Sequence, residues 1–334
     1  MKTMILKAPG GLDNFAIVDR DIPKPAPGEI LVRIHGLSLN YHDYMVALGT
    51  APTADGRIPM SDGAGEVVEV GPNVTKFAPG DAVVSTFFPN WPSGEPTPEA
   101  TYAMGGDTVD GYAAEFVAAP ASAFTKAPPG WSHVEAATLP CAGLTAWRGL
   151  VTNGKVKPGD CVLIQGTGGV SLFALQFAKA AGATVIATSS SDEKLSRLQA
   201  LGADHVINYH KTPDWAAVVL ALTAGRGVDH VIEIGGAGTL PQSIKACRFG
   251  GHIALIGVLA GLSGPIPTYL IFGRQLRISG VAVGSHADQE AMIRAVTASG
   301  LRPIIDSVFP LEGLADAYRH QASQQHFGKI CVEL

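Results

Sequence analysis

The sequence has few cysteines and no long apolar run. Its four cysteines stand far apart in 334 residues and form no Cys-x-x-Cys pair: Cys141, Cys161, Cys247 and Cys331. This spacing excludes the dense disulfide framework of small secreted domains and predicts reduced thiols that mostly fill the core. Nowhere do about 18 apolar residues follow one another without a charge, so no membrane-spanning helix and no membrane partner are expected.

The sequence also lacks an excess of positive charge. Lysine and arginine number 24 against 29 acidic residues, the net charge is -5, and no basic run occurs. A nucleic-acid partner is therefore not expected. The apolar start breaks at Pro9-Gly10-Gly11, before the core of a signal peptide could form. We therefore expect a cytoplasmic protein.

The N-terminal part has the pattern of a β-barrel. A hydrophobic content of 46% over 334 residues is enough for two packed cores, so two domains are expected. Short alternating segments at 30–34, 65–71 and 80–84 are separated by glycine and proline, which predicts strands and turns. Between Phe87 and Asp110 four prolines interrupt any periodicity, and we expect a long ordered loop there.

The pattern changes after about Cys141, where apolar strands alternate with helical segments. Such alternation predicts parallel βαβ units and a Rossmann-like sheet. The predicted strands are 161–165, 184–188, 205–209, 228–233 and 252–256, with an edge candidate at 276–283. Helices are predicted at 171–181 and 289–299.

A glycine-rich turn joins the first of these strands to its helix. The segment Gly166-Thr167-Gly168-Gly169-Val170 resembles the turn in which glycine lets the backbone approach a pyrophosphate, while the helix N-terminus supplies amide donors. Ser171 stands where a third glycine is usual. Because the turn lies between a strand and a helix, we interpret it as a dinucleotide site; the alternative is an ordinary tight turn.

The residues after the second strand bear on the choice of cofactor. The acidic residue that would bind the ribose 2′-hydroxyl of NAD is replaced by Ser189. Ser190 and Lys194 follow with further donors, which favours NADP(H) over NAD(H). Asp192 argues against this preference, and a normally capped helix would explain the same residues.

Several motifs together resemble the medium-chain dehydrogenase/reductase superfamily, and the match spans nearly the whole chain. These motifs are the glycine-rich turn, Asn40-Tyr41-His42-Asp43, Gly63-Ala64-Gly65-Glu66-Val67, Leu139-Pro140-Cys141-Ala142-Gly143-Leu144-Thr145-Ala146-Trp147 and Gly182-Ala183. The resemblance implies an α/β protein with a GroES-like β-barrel domain, 1–142 and 286–334, and a Rossmann doubly wound domain, 143–285. It also implies a nicotinamide and small-molecule substrate cleft between the domains, and a homodimer formed through the 276–283 edge strand.

Within that superfamily the chain resembles the zinc-free alcohol dehydrogenase and quinone oxidoreductase branch. Zinc-dependent relatives have a cysteine, a histidine and a glutamate where this chain has Asn40, Ser61 and Asp62, and only Cys141 matches their ligand set. One thiolate is too few for a catalytic zinc, which normally has three protein ligands. The 87–110 loop contains no cysteine, so structural zinc is not expected either.

The same comparison indicates which residues replace the metal. Asn40 could polarise the substrate oxygen, Tyr41 resembles a tyrosine found near the substrate in the zinc-free branch, and His42 could relay a proton. The alternative is local: Asn40 bonds nearby backbone, Tyr41 packs and His42 lies on the surface. For Asp43 we expect the N-cap of a helix at 43–48.

Further cofactor contacts are expected at the carboxyl edge of the predicted sheet, where ligands bind in such folds. These candidates are Thr145, Tyr209, Gly235, Ile256, Val258, Val281 and Val283. The sequence thus predicts a zinc-independent NAD(P)(H) oxidoreductase acting on an alcohol/carbonyl pair. The alternatives are an NADPH-dependent quinone or enone reductase and, in another class, a non-catalytic NADPH-binding protein.

Overall fold

The computed structural model describes residues 1–50 and 53–334. The chain divides into two compact units: residues 1–144 with 283–334, called here the barrel unit, and residues 145–282, called the Rossmann unit. The predicted domain boundaries, 142/143 and 285/286, lie close to these. Within the described residues no helix is both long enough and apolar enough to cross a membrane.

The N-terminal part of the barrel unit is mostly strands. They are β1 (Lys2–Leu6), β2 (Phe15–Asp19), β3 (Glu29–Ser38), β4 (Gly63–Val70), β5 (Ala82–Ser85), β6 (Phe116–Pro120) and β7 (Phe124–Lys126). The helices in this part are α1 (Tyr41–Ala47), α2 (Pro98–Thr101) and α3 (His133–Ala136). A helical segment at 139–153 follows and contains α4 (Leu144–Trp147). The three strands predicted here all exist, and each is shifted or extended by a few residues.

The Rossmann unit alternates strands and helices. Its strands are β8 (Cys161–Gln165), β9 (Thr184–Ser189), β10 (His205–Asn208), β11 (Val228–Glu233), β12 (Cys247–Leu255) and β13 (Arg277–Gly280). Its helices are α5 (Gly169–Ala180), α6 (Asp192–Ala200), α7 (Trp215–Leu222), α8 (Leu240–Ala246) and α9 (Thr268–Gly273). The chain then returns to the barrel unit through α10 (His286–Ser299), β14 (Ile305–Pro310), α11 (Leu314–Ala322) and β15 (Lys329–Glu333).

The Rossmann unit contains one parallel sheet in the order β10-β9-β8-β11-β12-β13. This is the doubly wound order in which the direction of winding reverses between the first and fourth strands, here β8 and β11. Every residue of both central strands is buried, as expected for strands of a parallel sheet that is covered on both faces. The glycine-rich turn after β8 therefore lies at the point where ligands bind in such sheets.

The sheet of the barrel unit joins the two ends of the chain. Its strands follow the order β14-β15-β3-β4-β5-β7, β6 also pairs with β3, and β1 pairs with β2 separately. The antiparallel register of β15 on β3 places Cys331 opposite Ser38. As a result Lys329, at the start of β15, lies beside the residues that follow β3. This pairing builds the polar cluster described below.

The loop between β5 and β6 is ordered and contributes to packing. Phe87, Phe88 and Trp91 are almost completely buried, and their rings contact one another. These three aromatic residues therefore pack in the protein core. Tyr102 differs from them because 69% of it is exposed.

Candidate functional site

The turn between β8 and α5 leaves an open space at a helix N-terminus. Gly166 has a φ of +69°, a conformation that side-chain-bearing residues rarely adopt. Gly168 is the N-cap residue of α5 and provides no capping side chain, and a Cβ added there would meet no atom within 4 Å. The first amides of a 12-residue helix therefore face a space that a phosphate can enter. The arrangement fits the pyrophosphate of a dinucleotide.

Ser171 fixes this helix to its strand. The side chain is fully buried, and its hydroxyl donates to the carbonyl of Gln165 at the end of β8 across 2.6 Å. A serine thus replaces the third glycine by forming a hydrogen bond between helix and strand.

The loop after β11 is held by one buried carboxylate that our sequence analysis did not identify. Glu233 Oε1 accepts hydrogen bonds from the amides of Gly235 and Gly236 at 2.8 and 3.0 Å, and from the Thr239 hydroxyl. Its Oε2 accepts from Gln165 Nε2 at 2.7 Å and from the hydroxyl of Ser243. An acidic residue at the end of a predicted strand was the available signal. The predicted residue Gly235 is therefore part of a rigid loop.

Residues predicted to select the cofactor lie together at the ends of β9 and β10. Asn208 pairs with Ser189 across these strands, and the amide of Tyr209 donates to the carbonyl of Ser189. Ser189 is buried, whereas Ser190 is exposed and Lys194 is half-buried on α6.

Helix capping explains part of the arrangement at the ends of β9 and β10. The hydroxyl of Ser191 accepts from the amide of Lys194, so Ser191 is the N-cap of α6. Asp192, the residue that argued against NADP(H), is bonded by Lys211 and by Asn208 Nδ2, the latter at 2.6 Å. The bonds to Lys211 and Asn208 lower the pKa of Asp192, and the charge of Lys211 balances that of the carboxylate.

The other cofactor candidates are distributed over both units. Thr145 is buried in α4, and the amide of Ile256 donates to the Glu233 carbonyl at 2.8 Å. Val258 is 40% exposed, whereas Val281 is buried. Val283 belongs to the barrel unit and is buried with a φ of +53°.

The barrel unit contains a buried group of polar side chains, called here the polar cluster: Asn40, Asp43, Ser61, Asp62 and Lys329. Asn40 Nδ2 donates to Ser61 Oγ at 3.1 Å. Lys329 Nζ donates to Asn40 Oδ1 at 2.6 Å and to the carbonyl of Leu39. Both ends of the Asn40 amide are therefore hydrogen-bonded inside the protein, to side chains distant in sequence and not to nearby backbone as the local alternative expected.

Asp43 organises this cluster and is not the N-cap that we predicted. Helix α1 begins at Tyr41, and Asn40 is its N-cap. The carboxylate of Asp43 accepts from the amides of Asn40 and Ser61 and from the hydroxyl of Ser61, at 3.0 to 3.1 Å. The prediction was wrong because Asp43 reaches back to the N-cap as the third helical residue of a capping box.

Asp62 is completely buried and incompletely hydrogen-bonded. Its Oδ2 accepts from the amide of Cys141 at 3.2 Å, whereas Oδ1 has no donor among the described residues. Burial raises the pKa of this carboxyl group to about 7, and the nearby charge of Lys329 opposes the increase.

The residues at the positions of zinc ligands form a different kind of site. Asn40 and Ser61 are hydrogen-bonded to each other, and the Lys329 ammonium donates a hydrogen bond to the side-chain carbonyl oxygen of Asn40. Cys141 is half-exposed, not buried as we expected for a core thiol. The other three cysteines are buried, which raises their pKa values to between about 11 and 12. Among residues 1–50 and 53–334, no three His, Cys, Asp or Glu side chains are placed to hold a metal.

Tyr41 and His42 lie at the start of α1 and are more accessible than Asn40. Tyr41 is 44% exposed and its ring lies 6.2 Å from that of Tyr44. His42 Nε2 lies 3.2 Å from a carboxylate oxygen of Asp107. The three consecutive side chains thus differ in their surroundings: Asn40 is hydrogen-bonded and buried, Tyr41 is exposed, and His42 contacts a carboxylate.

The two units together define an α/β oxidoreductase architecture with a dinucleotide-type turn. An alcohol dehydrogenase GroES-like domain model matches residues 26–129, and a zinc-binding dehydrogenase model matches residues 169–298. A zinc-type alcohol dehydrogenase-like protein of Schizosaccharomyces pombe is 45% identical, covering 97% of this chain and 96% of its own. The chain belongs to the medium-chain dehydrogenase/reductase superfamily, whose members use a nicotinamide cofactor, and it is an alcohol dehydrogenase-like oxidoreductase.

Solved structures agree with this assignment over the full length. The structure of an NAD-dependent alcohol dehydrogenase is 36% identical with a TM-score of 0.92 and covers 100% of both chains. A 2-haloacrylate reductase is 29% identical with a TM-score of 0.82, covering 100% of this chain and 99% of its own. The predicted α/β fold, with a GroES-like and a Rossmann domain, is thereby confirmed.

Proposed function

We propose that this protein is a zinc-independent NAD(P)(H) oxidoreductase that interconverts an alcohol and a carbonyl compound. The observation that carries the proposal is the open, uncapped N-terminus of α5 at Gly168, placed at the reversal point of a doubly wound sheet. When bound there, a nicotinamide dinucleotide supplies or accepts the hydride. The chain's own residues hold this cofactor and manage the charge and the proton on the substrate oxygen.

The cofactor we propose is NADP(H) in preference to NAD(H). Ser190 is exposed and Lys194 half-buried, close to the end of β9 that reaches the ribose in this fold. The pairing of Asp192 with Lys211 supports the preference because it balances a negative charge that would repel a 2′-phosphate. The similar NAD-dependent alcohol dehydrogenase indicates the opposite preference.

Parallel fluorescence titrations with NADPH and NADH test the cofactor choice. We expect tighter binding of NADPH, and we expect Lys194→Ala to weaken NADPH binding while leaving NADH binding nearly unchanged. Lys245→Ala, at an exposed lysine of α8, is the matched control. Tighter binding of NADH would overturn the preference for NADP(H), and binding of neither would overturn the proposed enzyme.

The residues at the zinc-ligand positions do not fit a catalytic zinc ion. The groups there are an amide, a hydroxyl, the carboxyl group of Asp62 and a single thiol, and the carbonyl oxygen of Asn40 is already bonded to the buried ammonium of Lys329. A second cation beside Lys329 would be repelled, and Asn and Ser oxygens are poor zinc ligands. Metal analysis of the purified protein, with turnover measured before and after chelation, tests this directly. Loss of turnover on chelation, with recovery on adding zinc, would refute zinc independence.

On the substrate side, Tyr41 and His42 are the accessible polar groups of the proposed catalytic set. We propose that they donate to the substrate oxygen and that buried Asn40 orients the start of α1 through its bonds to Ser61 and Lys329. Tyr41→Phe combined with His42→Ala should lower turnover and leave cofactor affinity nearly unchanged. Full activity in that double variant would remove these residues from the mechanism.

A second candidate is reduction of a conjugated acceptor, such as a quinone or enone. It is favoured by the similarity over the full chain to a 2-haloacrylate reductase. A panel of benzaldehyde, cyclohexanone, cyclohexenone and benzoquinone at saturating cofactor separates the two. Turnover of the carbonyl compounds supports the first proposal, and turnover of only the last two supports the second. Turnover of none would favour a non-catalytic NADPH-binding protein.

We propose in addition that the protein is a homodimer that associates through the edge of the Rossmann sheet. Strand β13 is the last strand of its sheet, and the neighbouring segment exposes large apolar side chains: Leu262 at 85%, Tyr269 at 64% and Phe272 at 77%. Such a patch is typical of an interface. Light scattering should give twice the mass of 34.6 kDa for the wild type and a monomer for Leu262→Glu with Phe272→Glu. A monomeric wild type would contradict this.

A further inference from the structure

The ring of His42, the second residue of α1, contacts a turn of the same barrel unit. This turn, at 104–109, belongs to the long loop between β5 and β6. The nearest atoms are His42 Nε2 and a carboxylate oxygen of Asp107, 3.2 Å apart. Neither the family match nor the sequence pattern points to Asp107.

The ring of His42 is restrained in two directions. Phe87 packs edge-on against it, with ring centroids 6.0 Å apart and planes inclined by 70°. Asp107 lies at the buried Nε2, and the contact is an ion-pair contact that is not aligned as a hydrogen bond. Catalytic hydrogen bonds are often long in the absence of substrate and become shorter when it binds. The two neighbours therefore limit how the imidazole can rotate.

The position of Asp107 is itself fixed. Its side chain is only 13% exposed, and its carbonyl accepts from the hydroxyl of Thr53 at 3.1 Å. The preceding residue, Gly106, has a φ of +81°, and a Cβ there would lie 2.7 Å from the amide nitrogen of Met60. The turn is thus packed so closely against the barrel that the carboxylate has little freedom to move away from His42.

The two nitrogens of the His42 imidazole have different surroundings. Nε2 is buried against Asp107, while a third of the His42 side chain remains exposed, so that exposure lies on atoms other than Nε2. The other carboxylate near His42 belongs to Asp43, which already accepts hydrogen bonds from Asn40 and Ser61. Asp107 is therefore the carboxylate that lies at Nε2.

We propose that Asp107 is a positioning residue for the reaction: it holds His42 with a proton on Nε2, so that Nδ1 exchanges the proton of the substrate oxygen. The inference rests on the proposed function. In carbonyl reduction the N–H bond at Nδ1 breaks, an O–H bond forms on the new alcohol, and solvent returns a proton to Nδ1. In alcohol oxidation the same bonds change in reverse. The negative charge of Asp107 stabilises the imidazolium form of His42, which gives up its Nδ1 proton in carbonyl reduction and forms in alcohol oxidation.

The kinetic test compares Asp107→Asn with a matched change in the same loop. Asp110→Asn is the control, because Asp110 bonds Arg57 and the amide of Ile58 and does not contact His42. With the most rapidly converted compound of the panel above, Asp107→Asn should lower kcat about tenfold or more while KM and NADPH affinity change by less than about twofold. Its solvent deuterium isotope effect on kcat should increase, and Asp107→Glu should restore part of the rate.

A merely structural role would give a different pattern. If Asp107 only holds the loop in place, Asp107→Asn and Asp110→Asn should affect kcat, KM and unfolding alike, with no change in the isotope effect, and the proposal would be overturned. Wild-type kcat in Asp107→Asn would overturn it as well.

A spectroscopic test does not depend on turnover. Nitrogen NMR of histidine-labelled full-length protein, with His42→Ala to assign the signals, reports which ring nitrogen carries the proton. We expect the Nε2-protonated form of His42 in the wild type and a mixture of both forms in Asp107→Asn. The same mixture in both proteins would refute the positioning role. If nothing in the panel is converted, the proposed function fails and the NMR result alone decides whether Asp107 positions His42.

Discussion

Lys329 Nζ lies 2.6 Å from Asn40 Oδ1, which joins the first residue of the last strand to the N-cap of the first helix. The ammonium also donates to the carbonyl of Leu39 and is 4% exposed. It is thus the cation buried beside two buried carboxyl groups, those of Asp43 and Asp62.

Removal of the buried ammonium should destabilise the fold. Lys329→Met keeps much of the side-chain volume but leaves Asn40 Oδ1 without its donor and the buried carboxyl groups without a compensating charge. Breaking such a buried set costs about 3 to 5 kcal/mol, and we expect a loss of that size in the free energy of unfolding. Urea denaturation measures it, with Lys245→Met at an exposed site as control. Equal stabilities of the two variants would show that the ammonium contributes nothing.

Asp62 should make the stability of the protein depend on pH. Burial raises the pKa of its carboxyl group from 3.8 to about 7, so the folded protein keeps a proton that the unfolded chain releases. The stabilising effect of that proton is complete below about pH 4 and is lost as the pH rises to 7. The wild-type free energy of unfolding should fall by up to about 1.4 kcal/mol per pH unit in this range, relative to Asp62→Asn.

The matched control for this pH dependence is Asp214→Asn, at an exposed aspartate before α7. Its stability should follow that of the wild type across the whole range. Parallel curves for the wild type and Asp62→Asn between pH 4 and 7 would show that Asp62 is ionised in the folded protein.

Gly168→Ala should weaken cofactor binding with little effect on folding. The backbone of Gly168 is in an ordinary extended conformation, and the added Cβ meets no protein atom within 4 Å. The methyl group would instead occupy the space in front of the α5 amides, so the dissociation constant of NADPH should rise about tenfold, or about 1.4 kcal/mol. Gly273→Ala, at another glycine with open space, is the control for calorimetric titration. Unchanged affinity in Gly168→Ala would place the pyrophosphate elsewhere.

Glu233→Gln should loosen the loop that contains Gly235 and Gly236. The amide nitrogen of a glutamine can donate but not accept, so it would leave one or more of the donors that now bond Glu233 unpaired. The free energy of unfolding should fall by about 1 to 3 kcal/mol, and NADPH binding should weaken in the same variant. Glu69→Gln, at an exposed site of β4, is the control. A variant with wild-type stability and affinity would show that the carboxylate is dispensable.

The sequence by itself determined the features that depend on neighbouring residues. The bounds of β8 and β11 agree with prediction at both ends, since each is a short segment rich in β-branched residues between turns. The first residue of α1 was predicted wrongly, because both Asn40 and Asp43 are good capping residues. Only the folded geometry shows that Asn40 is the N-cap. The edge strand predicted at 276–283 was too long. Only Arg277–Gly280, which is β13, pairs with β12, and strand pairing is decided by the fold.

Only the tertiary structure decided which distant residues share a site. Lys329 and Asn40 are brought together by the register of β15 on β3, and His42 and Asp107 by the close packing of a loop turn against the barrel. Neither pair has a periodic signal, because sequence periodicity reports which face of an element is buried and not which element covers it. The residue types thus indicated an oxidoreductase, and long-range packing determined the partners of its polar groups.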